Sequence, residues 1–145
     1  MAKSNAFSQN LLKLLFQNIT FPNIGDATGL VKSTTDGVVY VSLYTTNPTV
    51  TDDGIEASYT GYARVSIPRN SANIQIGTID PITVKNINDI TFPASTSTSA
   101  DIIGAGLSFT LTGRADFFGT FVTPISILNG TIPKIPALQF KIIEY

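Results

Sequence analysis

The sequence contains no cysteine, no histidine and no tryptophan. Without cysteine there can be no disulfide, no thiolate metal site and no cysteine nucleophile. Without histidine the chain lacks the commonest general base, the commonest transition-metal ligand and any Ser-His-Asp arrangement. An enzyme made from this sequence would have to work with carboxylates, lysine or tyrosine alone. We therefore expect a protein with no catalytic activity, no cofactor and no bound transition metal.

Charged residues are also scarce. They make up 13% of the sequence and leave a formal net charge of −1, against about 25% charged residues in a typical soluble domain. Lysine and arginine are scattered singly and do not form the basic stripe of a nucleic-acid-binding protein, so no nucleic-acid partner is expected. A weakly charged surface rich in Ser, Thr and Asn suits a protein that neighbouring subunits cover, although an ordinary β domain would have a similar composition.

Long apolar runs are missing as well. The segment from Leu11 to Phe16 is apolar but short, and Lys13 interrupts it, whereas a membrane span needs about 18 such residues. The segment also lacks the small-residue cleavage site of a signal peptide, so neither a membrane partner nor export is expected. A length of 145 residues without a linker predicts a single β-rich domain over residues 1–145.

The first segment has the pattern of an amphipathic helix over residues 4–18. Ser4 is a suitable N-cap, and apolar residues recur at spacings of three and four. These stripe residues are Phe7, Leu11, Leu14 and Leu15. Such a stripe most often packs on its own domain, and the alternative is a docking helix, or arm, that binds a neighbouring subunit.

After Gly37 the apolar period changes from 3.6 to 2, which is typical of strands. Val39, Val41 and Leu43 are expected to share one face of the first strand. Gly113-Arg114 and Asn129-Gly130 have the composition of turns. We predict strands over 38–44, 62–67, 73–78, 86–92, 101–112, 115–122, 124–128 and 138–143. Many short strands and one helix predict a mainly β fold, an antiparallel β-sandwich or open barrel of jelly-roll-like form.

An acidic loop over residues 49–58 contains Asp52, Asp53 and Glu56. Its oxygen ligands could bind calcium, but the spacing matches no EF-hand, and a solvated loop is the simpler interpretation. Arg64 lies within a predicted strand, where arginine is unusual. It either forms an ion pair with Glu56 that pins the loop onto the sheet, or it faces solvent.

Several tyrosines suggest a second kind of site. Tyr40, Tyr44, Tyr59 and Tyr62 could form an aromatic surface for carbohydrate. Tyrosines in strands more often pack on their cross-strand neighbours, so sugar binding is the weaker hypothesis.

Several segments together resemble a family of small phage virion proteins that are labelled tail fibre proteins, some of which are similar to capsid decoration proteins. The most specific segment is Glu-Ala-Ser-Tyr-Thr-Gly-Tyr-Ala-Arg-Val at 56–65. Ile-Thr-Phe-Pro at 90–93 and Leu-Asn-Gly-Thr-Ile-Pro at 128–133 are shorter matches. Further segments that carry the resemblance are 11–19, 25–30 and 39–48. The similarity is clear over about the first 95 residues and weaker beyond them, where 101–112 departs from the family pattern.

The resemblance implies a non-enzymatic structural protein that is made in the bacterial host cytoplasm and located in the virion. One hypothesis is a capsid decoration protein that binds the major capsid protein, with copies that associate as a trimer by analogy with threefold sites on icosahedral shells. The other is a tail fibre or appendage module that recognises a host surface glycan. The absence of internal repeats typical of fibrous shafts favours the capsid.

Overall fold

The computed structural model of the protein describes residues 3–79 and 81–144. Strands account for 38% of the chain and helix for 9%, and the sheets are antiparallel. The predicted class, mainly β with an N-terminal helix, is therefore confirmed. The elements in chain order are α1 (Asn5–Gln17), β1 (Val38–Thr46), β2 (Ile55–Glu56), β3 (Val65–Pro68), β4 (Ile74–Ile76), β5 (Ile82–Asn86), β6 (Ile90–Thr91), β7 (Ser99–Ser108), β8 (Phe117–Ile127), β9 (Lys134–Ile135) and β10 (Lys141–Glu144).

The chain divides into two compact units that alternate along the sequence. The first, which we call the helix unit, draws its residues from within Met1–Val38, Pro68–Asp89 and Pro136–Tyr145. The second, the large-sheet unit, comprises Val39–Ile67 and Ile90–Ile135. Each unit combines segments that are distant in sequence. Whether the two act as the single domain expected from the sequence stays a prediction.

In the helix unit, α1 packs against a three-stranded sheet of order β10-β5-β4. The helix begins at Ser4, whose Oγ accepts the N–H of Phe7 at 3.2 Å. Its buried side chains are Ser8, Leu12 and Phe16, which are spaced four residues apart and so share one face. Ile82 and Val84 of β5 are buried in the same unit, and their alternation with Thr83 is the pattern of a strand with one covered face.

In the large-sheet unit, the main sheet has the order β2-β1-β7-β8, and β3 also pairs with β1. Val39, Val41 and Leu43 are fully buried, as their predicted common face requires. Ser42 and Tyr44 on the opposite face are buried too, so this part of β1 is covered on both sides. A two-stranded sheet of β6 and β9 belongs to the same unit.

Several predicted strand bounds differ from the observed ones. β3 begins at Val65 and not at 62, so that Arg64 lies just before the strand, and β7 ends at Ser108 and not at 112. Two further predicted strands are also placed wrongly. The segment 86–92 is not one strand, because β5 ends at Asn86 and β6 begins at Ile90. The buried Asn86 side chain donates to the carbonyls of Asn88 and Pro136 and accepts the N–H of Phe140 at 2.9 Å, and these bonds fix a turn there. The last strand begins at Lys141 because Leu138 has a φ of +64°, which is incompatible with a strand.

The predicted strands over 115–122 and 124–128 are parts of one strand, β8. Pro124 does not end β8, because β8 is the last strand in its sheet order, and an edge strand tolerates a residue without an N–H. The register with β7 shifts between the pairs Ile102–Ile125 and Gly104–Thr120. The shift leaves additional β8 residues opposite a single β7 position, which is a β-bulge.

Candidate functional site

The segment 56–65 folds back on itself next to β1. The N–H of Ala57 donates to the carbonyl of Leu43 at 2.8 Å, and the N–H of Tyr62 donates to the carbonyl of Tyr59 at 2.9 Å. Gly61 has a φ of +100°, and a Cβ atom there would lie 2.7 Å from the carbonyl oxygen of Ala94. Glycine is therefore required for the chain to reverse at this point.

This turn brings together three of the segments that carry the family resemblance. The hydroxyl of Tyr59 donates to the carbonyl of Pro93 at 2.9 Å, and the rings of Tyr62 and Phe92 stack with 6.4 Å between their centroids. The N–H of Phe92 in turn donates to the carbonyl of Pro133 at 2.9 Å. The segments 56–65, 90–93 and 128–133 are therefore one packed assembly within the large-sheet unit.

At the centre of the site, Glu56 and Arg64 form a two-pronged ion pair. Nη2 of Arg64 lies 2.7 Å from Oε2 of Glu56, and its Nε lies 2.8 Å from Oε1. The hydroxyl of Tyr62 donates to the same Oε1 at 2.6 Å and accepts the N–H of Leu43 at 3.1 Å. Of the two alternatives for Arg64, the structure places the arginine against Glu56. The Arg64 side chain is only 7% exposed, while that of Glu56 is 29% exposed.

Arg64 also reaches the connection between β7 and β8. Its Nη1 donates to Oγ of Ser108 at 3.0 Å, and its Nη2 donates to the carbonyl of Gly113 at 2.6 Å. The same hydroxyl of Ser108 donates to the carbonyl of Thr110 at 2.8 Å. A single guanidinium therefore joins β2, the end of β7 and the loop that follows it. We call Glu56, Tyr62, Arg64 and Ser108 the arginine cluster.

The protonation of the cluster follows from these contacts. Partial burial raises the pKa of Glu56, but the hydrogen bonds from Arg64 and Tyr62 and the charge of Arg64 together outweigh it, so this pKa lies below its ordinary value. The hydrogen bond to Glu56 raises the pKa of Arg64 although burial opposes it. Burial raises the pKa of Tyr62 strongly, and its hydrogen bond to Glu56 adds to the effect. At neutral pH the cluster holds a carboxylate, a guanidinium and a neutral phenol.

The acidic loop is joined to the β7–β8 connection by a second arginine. Nη2 of Arg114 donates to the carbonyl of Thr49, and its Nε lies 3.7 Å from Oδ1 of Asp53. Oδ1 of Asp52 accepts the N–H of Gly54 at 2.7 Å. Residues 3–79 and 81–144 contain no group of three or more Asp or Glu side chains arranged to hold a metal ion. The geometry places Asp52 and Asp53 in a turn held by Arg114.

The predicted helix stripe lies beside the buried face and not on it. Phe7 is 43% exposed and meets the ring of Phe21 edge to face at a centroid distance of 5.1 Å. Leu11, Leu14 and Leu15 are half-buried, and the fully buried positions are Ser8, Leu12 and Phe16. The helix therefore packs on its own unit and leaves part of the predicted stripe accessible. A docking role for the stripe stays a prediction.

The four tyrosines do not form one aromatic surface. Tyr44 and Tyr59 are buried, and the Tyr59 ring packs edge to face on that of Tyr62 at 5.3 Å. Only Tyr40 and Tyr62 of the four are half-buried. Two of the rings proposed for carbohydrate binding therefore belong to the core, as strand tyrosines usually do.

Arg69, which no sequence pattern singles out, closes the C-terminal end of α1. Its Nε donates to the carbonyl of Leu15 at 2.6 Å, and its Nη2 donates to that of Leu14 at 2.8 Å. These carbonyls lack helical partners, and a cation there also interacts favourably with the helix dipole. Only the arrangement in space reveals the contact, because more than fifty residues separate the arginine from the helix end.

Each polar group of the arginine cluster is engaged by another part of the large-sheet unit, so the arrangement can hold loops in place.

The described parts of the chain contain no helix with the length and hydropathy to cross a bilayer. Comparison with curated proteins gives no significant match. The family model described as podophage GP4 fiber I protein gp80 matches residues 2–143. The chain therefore belongs to this family of phage tail fibre-type virion proteins.

Proposed function

We propose that the protein is a non-enzymatic structural subunit of a phage fibre, attached to the particle through contacts with other virion proteins. The match to the fiber I family over nearly the whole chain carries this proposal. The arginine cluster supports it, because its charged groups bind loops of the same unit and none is left aimed at a substrate. The protein thus functions by binding other virion proteins through its surface.

Those surfaces are suited to assembly. Large apolar side chains lie exposed on both units, and Val122 in the β8 bulge is fully exposed. The edge strand β8 has no charged residue along its length, although charged side chains are a common protection for free sheet edges. Large apolar side chains that are exposed in a free subunit can be covered by neighbours in an assembly.

A second candidate is a capsid decoration protein that binds the major capsid protein and associates as a trimer. The absence of a shaft-type repeat from the sequence favours it, since a small compact protein can occupy a lattice of identical sites. Recognition of a host surface glycan belongs to the first candidate, as a property of a fibre that contacts the cell.

Particles assembled without the protein separate these candidates. The gene is deleted, the particles are purified, and both adsorption to host cells and survival on heating are measured. A fibre subunit predicts loss of adsorption with unchanged heat survival. A capsid decoration protein predicts loss of heat survival with adsorption retained, and particles unchanged in both respects would contradict a structural role in the virion.

A further inference from the structure

Two loops of the large-sheet unit lie together and form a surface that is separate from the contacts within the arginine cluster. They are residues 49–54, within the acidic loop, and residues 109–116, which connect β7 to β8. Arg114 joins them through the carbonyl of Thr49 and the carboxylate of Asp53. We call this surface the loop pair.

The loop pair exposes aliphatic side chains at its surface. Val50 is 85% exposed and Leu111 is 58% exposed, and each lies within three residues of a residue in the Arg114 contact. Ile55, at the start of β2, follows the first loop directly and is also exposed. Isolated apolar side chains on a surface are ordinary, but these three lie on, or directly beside, the two loops that Arg114 joins, and we refer to them together as the aliphatic patch.

Hydrogen bonds hold both of these loops in place. Arg64 donates to the carbonyl of Gly113, and Ser108 donates to that of Thr110, so the second loop is fixed on either side of Leu111. Within the first loop, the hydroxyl of Thr49 accepts the N–H of Asp52 at 3.0 Å. Loops that are already ordered lose little conformational entropy when a partner binds.

The charge of the loop pair indicates which class of partner it can bind. Asp52, Asp53 and Asp116 oppose a single arginine, Arg114, so the surface is acidic. An acidic surface repels nucleic acid. Glycan sites usually offer an aromatic face, and the large apolar side chains that are exposed on these loops, Val50 and Leu111, are aliphatic. An aliphatic patch with an acidic border complements an apolar protein pocket bordered by lysine or arginine.

We propose that the loop pair, with Val50 and Leu111 as its apolar contacts, is the surface by which the protein attaches to another virion protein that presents such a basic-bordered apolar pocket. This inference rests on the proposed function, which requires attachment but does not say which surface makes it. The arginine cluster then acts as a positioning device that keeps both loops in the binding arrangement.

The test uses purified full-length protein and phage particles assembled without it. The double variant Val50→Ser/Leu111→Ser removes both apolar contacts without adding charge. Val31→Ser in the helix unit, where Val31 is also well exposed, is the matched control. Circular dichroism first confirms that each variant is folded. Protein bound per particle is then measured against concentration.

We expect the double variant to bind about tenfold or more weakly, since it removes two large apolar contacts, and Val31→Ser to bind like wild type. Asp52→Asn/Asp53→Asn should bind less tightly and with a weaker dependence on salt. Undiminished binding of Val50→Ser/Leu111→Ser beside normal wild-type binding would overturn this inference alone. A changed oligomeric mass with unchanged particle binding would also overturn it and assign the patch to a second copy. Failure of the wild-type protein to bind any particle would overturn the proposed function.

Discussion

The guanidinium of Arg64 meets the carboxylate of Glu56 with two parallel contacts, 2.7 Å from Nη2 to Oε2 and 2.8 Å from Nε to Oε1. Paired geometry of this kind is stronger and more directional than a single charge contact. Because Arg64 is nearly buried and also binds Ser108 and Gly113, it links the acidic loop to the β7–β8 connection.

Replacement of Arg64 should therefore be costly. We expect Arg64→Ala to lower the free energy of unfolding by roughly 2 to 4 kcal/mol, because the partly buried Glu56 carboxylate and Ser108 would lose their partner. The matched control is Arg114→Ala, whose partner Asp53 is largely exposed, and it should cost less than about 1 kcal/mol. Urea unfolding measures both. Equal stability of Arg64→Ala and wild type would show that the cluster does not hold the loops.

The lowered pKa of Glu56 predicts that the folded protein loses stability as the pH falls. Because this pKa is lower in the folded protein than its ordinary value of 4.5, the carboxylate stabilises the fold above that pH. The contribution is lost as the pH falls from 4.5 through the folded pKa. Stability measured between neutral pH and pH 3 should decline less steeply in Glu56→Gln than in wild type. Identical slopes would contradict the assigned charge state.

Arg69 gives a prediction about the helix. Arg69→Ala removes two hydrogen bonds from the guanidinium to the carbonyls of Leu14 and Leu15. We expect a loss of roughly 1 to 2 kcal/mol in stability and faster amide hydrogen exchange in the last turn of α1. Exchange in β7, in the large-sheet unit, serves as the internal reference. If the last turn exchanges no faster in the variant, the cap is not a stabilising contact.

The two faces of α1 should respond differently to substitution. Phe16 is fully buried and Phe7 is 43% exposed. Phe16→Ala should destabilise the protein by roughly 3 to 5 kcal/mol through cavity formation, whereas Phe7→Ala should cost about 1 kcal/mol or less. Thermal unfolding compares them. If Phe7→Ala also reduces attachment to particles, the docking interpretation of the stripe gains support, and a large loss of stability in Phe7→Ala would oppose it.

The sequence carried enough information for the local elements that depend on short-range patterns. Apolar spacing and the Ser4 cap predicted α1, and alternation predicted the buried face of β1. The proximity of Glu56 and Arg64 could also be predicted, because only a short turn at Thr60-Gly61 separates them. These features are set by residues that are close together in the chain.

Features that depend on distant residues could not be predicted in the same way. The apolar spacing predicts a stripe of Phe7, Leu11, Leu14 and Leu15. The buried helix positions are instead Ser8, Leu12 and Phe16, because the face that packs depends on how α1 meets the distant strands β4 and β5. Arg69 showed no sequence signal because its acceptors are backbone carbonyls. The turn at Asn86 was missed because its partners, Pro136 and Phe140, lie some fifty residues away.

If the protein is a structural component of the phage particle, its abundance in the virion should show it. Particles purified on a density gradient are analysed by quantitative mass spectrometry, with the major capsid protein as the internal standard. A structural component should be present in a fixed ratio to the capsid protein, unchanged by washing in high salt and reproduced between preparations. Absence of the chain from purified particles, or a variable trace amount that washing removes, would contradict it.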